Sequence, residues 1–109
     1  MKSRLYDYCP DKWVVVEVTP EGEEPFLKVF ATWSGGYLSG DSWRLNSGVS
    51  SVDNEEDGCY YVFSESGTCY RCNKGQYGVA GLSNYGVLET LKKKFGDRLK
   101  VLDNPPEAW

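Results

Sequence analysis

Trp33, Tyr37, Asp41, Trp43 and Arg44 fall within one stretch that is otherwise mostly glycine, serine and turn-forming residues: Trp33-Ser-Gly-Gly-Tyr37-Leu-Ser-Gly-Asp41-Ser-Trp43-Arg44-Leu-Asn46-Ser-Gly48. Trp, Tyr and Arg are the side chains most enriched at binding hot spots, and glycine lets a backbone come close to a partner or take positive φ. In such a set the three rings supply contact area, while Arg44 and Asp41 supply oriented polar contacts. This chemistry is recognition, and the segment from Trp33 to Gly48 is the predicted partner-binding surface.

Catalytic chemistry is poorly served. The chain has no histidine, which removes Ser-His and Cys-His nucleophile pairs, an imidazole general base and any His metal ligand. Paired carboxylates could still act as acid and base across a cleft. The acids, however, gather at Glu21, Glu23 and Glu24 and along Asp53-Asn-Glu-Glu-Asp57, runs that also carry turn residues. Those positions predict solvated hairpin ends. The glycines at 35, 36 and 40, and at 75, 78, 81 and 86, match neither a P-loop nor a dinucleotide fingerprint. No catalytic residue is assigned.

Cys69-Tyr-Arg-Cys72-Asn-Lys-Gly75 has the spacing of half a zinc knuckle. The other half could come only from Cys9 and Cys59, which are fifty residues apart. On a regular strand, moreover, Cys69 and Cys72 point to opposite faces. The expectation is therefore no metal, no cofactor and no disulfide, with reduced cysteines partly buried. A Cys-ligated, zinc-stabilised module contacting nucleic acid is the runner-up.

The net charge of −4 repels phosphate at long range and works against nucleic-acid or anionic-membrane binding. Lys92, Lys93, Lys94, Arg98 and Lys100 form a local basic patch, of a kind that complements a helix C-terminus. No apolar run approaches the ~20 residues that cross a bilayer, and the N-terminus lacks the apolar core of a signal peptide. The expected setting is the cytoplasm, without membrane contact.

A chain of 109 residues with sixteen aromatic rings can bury about two thirds of its unfolded surface in one domain. Residues 12–19 and 26–33 are rich in β-branched and aromatic side chains and flank a polar connection, which predicts an antiparallel hairpin. Short strands are expected at 43–45 and 49–52 about an Asn46-Ser-Gly48 turn, and a second hairpin joins 59–63 to 68–72. A helix starts near Ser83 or Asn84, either a suitable N-cap, and stops before Gly96. Its Val87, Leu88, Leu91 and Phe95 have amphipathic spacing, so Leu88, Leu91 and Phe95 should be core. Residues 98–102 form a possible last strand, with an N-terminal arm over 1–11 and a Pro-rich tail over 104–109. The predicted fold is one α+β domain, an antiparallel sheet of five or six strands with the C-terminal helix packed on one face.

The segment Ser34–Gly48, together with Cys69-Tyr-Arg-Cys-Asn-Lys74, resembles stretches in small phage or prophage proteins of no assigned activity. The resemblance covers less than a quarter of the chain and transfers no catalytic residue. It implies a host-takeover or anti-defence protein that works by occupying a host protein's surface. The resulting expectation is a non-catalytic inhibitor whose partner is another protein. Acidic charge would favour a basic host factor, reached by electrostatic steering.

Overall fold

The computed structural model describes residues 5–36 and 40–109. Strand β1 (Lys12–Val18) pairs antiparallel with β2 (Phe26–Gly36), Lys12 opposite Thr32 and Val18 opposite Phe26. The chain returns along β2 as β3 (Gly40–Leu45). Much later, β7 (Leu99–Val101) adds to the free side of β1, giving a four-stranded sheet in the order β3-β2-β1-β7. Strands β4 (Val49–Asn54), β5 (Cys59–Ser64) and β6 (Cys69–Asn73) form a second, three-stranded antiparallel sheet.

The architecture is thus α+β, but the seven strands among the described residues form two sheets where the sequence predicted one of five or six. The physical reason lies in β1 and β2. Their residues are apolar on both faces, so each face needs a cover. On one side Trp13, Val15, Val29 and Ala31 pack with Val62, Tyr70 and Cys72 of the second sheet. On the other, Val14, Val16, Phe30 and Leu99 pack with Val79 and Leu88. The four-stranded sheet is therefore the middle layer, between the helix and the smaller sheet.

Asn46 makes the switch between sheets. The expected break at Asn46–Gly48 does separate two strands, but β3 and β4 belong to different sheets, and Asn46 is buried where the chain crosses from one to the other. Its Oδ1 accepts from Val29 N at 2.8 Å and its Nδ2 donates to Ser64 Oγ at 3.1 Å. A short amide can satisfy both sheets where no ladder continues.

Helix α1 runs from Leu82 to Phe95, starting earlier than Ser83 or Asn84 would as N-caps. Gly81 holds the N-cap position at φ +86, and a Cβ there would run into the Asp41 carboxylate. Asn84 lies inside the helix, buried, with Nδ2 2.7–3.0 Å from the carbonyls of Ala80, Ser42 and Trp33. It ties the helix to strands β2 and β3. Leu88 is buried and Leu91 half-buried, but Phe95 is 41% exposed instead of core. The sheet edge near the helix end is β7, only three residues long, which leaves the last turn little to pack on. At Gly96 the expected stop occurs, with φ +54.

Tyr8 of the N-terminal arm and Trp109 of the C-terminal tail both lie against the sheets. Tyr8 forms a parallel bridge with Tyr70, and Asp7 N and Tyr8 N both donate to Cys69 O. At the other end Trp109 stacks on Trp13, with planes 5° apart and centroids at 6.1 Å. Among the described residues, no helix is long and apolar enough to cross a membrane.

Candidate functional site

Gly35 lies near the end of β2 and Gly40 at the start of β3. Both take positive φ, +70 and +64, and the register shifts between Trp33 and Gly36. This irregular end of the hairpin opens a cleft of about 550 Å³ bordered by Trp33, Ser42, Trp43 and Arg44, with Tyr8 and Asp11 contributed by the N-terminal arm.

Each wall is fixed by identifiable contacts. Trp33 is half-buried, and its indole N–H donates to Cys9 O at 3.0 Å, so its ring is held as a fixed wall. Tyr8 meets Trp33 edge-on at 6.2 Å and carries the Arg44 guanidinium 4.3 Å above its ring. Arg44 keeps its charge firmly: a side-chain hydrogen bond with Tyr70 raises its pKa above the ordinary arginine value. Asp11 Oδ2 accepts from Ser34 N at 2.9 Å. The cleft therefore presents a permanent cation on an aromatic platform beside a rigid indole, which suits carboxylate or aromatic groups of a partner.

The five predicted contact residues separate. Trp33 and Arg44 border this cleft. Trp43 stands at its rim, 41% exposed, with its ring tilted on Phe30 at 5.5 Å, and also borders a furrow beside α1. Asp41 lies elsewhere. Its Oδ1 accepts from Gly35 N and its Oδ2 from Ser83 N, both at 3.3 Å. Asp41 thus caps the start of α1 from a neighbouring strand, where a negative charge is favoured by the helix dipole. Tyr37 lies outside the described residues. Tyr8 and Asp11 were missed by sequence reasoning, because a short arm with no periodicity does not reveal the strand it will lie beside.

A second polar group sits on the outer face of the smaller sheet. Tyr61 OH donates to Asp57 Oδ2 at 2.6 Å, and Arg71 Nε donates to Tyr61 OH at 3.0 Å. Arg71 Nη2 lies 3.8 Å from Asp57 Oδ2, and Nη1 lies 3.7 Å from Cys9 Sγ. The Tyr61 hydrogen bond, ahead of the other influences, holds the Asp57 carboxyl below the usual range. A depressed carboxylate pKa stabilises the fold above the unfolded value of about 4, and that contribution disappears as pH falls through the folded pKa. Tyr61→Phe should therefore be less stable than wild type at pH 7. In urea titrations repeated down to pH 3 the gap should narrow, and a constant gap would assign Tyr61 to packing alone.

Cys9 is partly exposed, and Cys59, Cys69 and Cys72 are buried. Cys72 lies in the inter-sheet core, and Cys69 lies with Cys59 and Tyr61 on the opposite face. Burial pushes the Cys59 and Cys72 thiols up. Among the described residues no group of three or more His, Cys, Asp or Glu could hold a metal ion. Comparison with protein-family models, curated proteins and solved structures finds no match, so the functional reading rests on the geometry of the cleft.

Proposed function

We propose that this is a non-catalytic binding protein whose partner is another protein, engaged through the cleft at the β2–β3 end. One observation carries the reading: the Arg44 guanidinium is stacked on Tyr8, which meets the fixed Trp33 indole edge-on. Rigid aromatics and an oriented arginine are what binding hot spots use, because they add contact area with little side-chain entropy to lose. The cation suits a local acidic or aromatic element of the partner. The net charge of −4 steers the whole molecule toward a basic surface at longer range. Occupying such a surface would make the protein an inhibitor, in keeping with the resemblance to small phage proteins. Cysteines kept as thiols would suit a reducing cytoplasm.

The test is capture from a bacterial lysate, followed by affinity measurement with the purified captured protein. Arg44→Ala should weaken binding by about thirtyfold, the ratio that corresponds to a hot-spot loss of about 2 kcal/mol. A folded Arg44→Ala variant that binds as tightly as wild type would place the interface elsewhere.

A further inference from the structure

We infer that the furrow between Trp43 and α1 is a second docking surface, shaped for an amphipathic helix of a partner protein with carboxylates at the end that lies against Lys94. The furrow has a volume of about 560 Å³ and is bordered by Trp43 on one side and by Gly86, Val87, Thr90, Leu91 and Lys94 of the helix on the other. It is a different surface from the Arg44 cleft, sharing only Trp43 with it.

Gly86 is the informative residue. It stands in the interior of α1, without positive φ, and a Cβ built on it meets nothing within 4 Å. Neither the backbone nor internal packing calls for glycine there, although glycine weakens a helix relative to alanine. Its one physical benefit is bare backbone facing the furrow, which lets a second helix approach more closely than usual side-chain packing permits.

Length and charge define the occupant. The helix residues bordering the furrow run from Ser83 to Lys94, a rise of about 16 Å and three turns. Three turns of a partner helix match that span. The furrow's one charged border residue is Lys94, in a last turn that also carries Lys92 and Lys93. Carboxylates favour a helix N-terminus, so the partner helix would meet Lys94 with its first turn and lie antiparallel to α1.

The probe is a synthetic acetylated peptide of about 16 residues, helical, with leucine and alanine on one face and glutamates in the first turn. A control peptide carries lysines in place of the glutamates. Titration into the full chain, followed by amide and indole NMR shifts, should perturb Trp43, Gly86, Val87 and Leu91, with the lysine peptide binding about tenfold more weakly. Gly86→Ala should raise Tm by roughly 4 °C and weaken the glutamate peptide about tenfold. Arg44→Ala, which alters the other cleft, should leave peptide binding unchanged, so the two surfaces can fail separately. The proposal is overturned by unchanged binding to Gly86→Ala, by a fall in its Tm, by equal binding of both peptides, or by no binding at millimolar peptide. Self-association through the furrow would also overturn it, by making a second copy the occupant.

Discussion

Trp13→Ala is expected to bring the domain to the edge of unfolding. Trp13 is fully buried, and its ring meets Tyr77 edge-on at 5.0 Å, Tyr60 at 5.8 Å and Trp109 in a stack. Its Nε1 donates to Asn73 O at 2.8 Å, across from β1 to the end of β6. Truncating a buried tryptophan typically costs about 3–5 kcal/mol, out of a total stability of about 5–15 kcal/mol. Losing the ring also frees a carbonyl and uncovers three other aromatics. Urea unfolding should show the midpoint falling by a large fraction. Trp13→Phe, which keeps a ring without the N–H, should recover part of the loss. A cost below about 1 kcal/mol would mean that the sheets do not close on Trp13.

Asn84→Asp should be nearly as damaging, and it separates two roles for one residue. As an N-cap, aspartate would replace asparagine at almost no cost. In the structure, however, Asn84 offers amide hydrogens to the carbonyls of Ala80, Ser42 and Trp33 from a buried position. Aspartate would face those oxygens with a buried charge and no donor, a loss of about 3–5 kcal/mol by analogy with broken buried pairs. Burial raises the pKa of such a carboxyl. The variant is therefore penalised most at neutral pH, and its deficit should shrink as pH falls toward 4, where the unfolded carboxyl also takes up its proton. Equal loss at pH 4 and pH 7 would exclude the three-carbonyl contact.

The same residue marks where the sequence was readable and where it was not. Both hairpins were legible because alternation and turn chemistry are local, and the helix was legible because Val87, Leu88 and Leu91 repeat at helical spacing. What was missed depends on contacts between distant segments. Asn84 reads as a cap in isolation, yet its partners are as far as 51 residues away in sequence. Asn46-Ser-Gly48 reads as a turn between two short strands, yet nothing local says that those strands join different sheets or that the amide of Asn46 is consumed by Val29 and Ser64. Phe95 fits the amphipathic stripe, but whether a last helical turn is covered depends on the length of β7. The binding segment was legible as composition and only in part as geometry, since Asp41 turned to the helix and Tyr8 came from the arm.

The pairing of β1 with β7, and of Trp13 with Trp109, has a consequence during synthesis. Val16 waits for Val101, Tyr77 holds Val15 N and Leu102 O through one hydroxyl at 2.9 and 2.7 Å, and Trp13 waits for Trp109. Ribosomes add about 5–20 residues each second, so roughly 5–20 s separate the emergence of β1 from that of its last partners. Through that interval the nascent chain carries an open strand edge and an uncovered indole near its start. Such edges recruit other chains. Residues 12–18 are therefore the segment most open to pairing with other chains before the domain is complete.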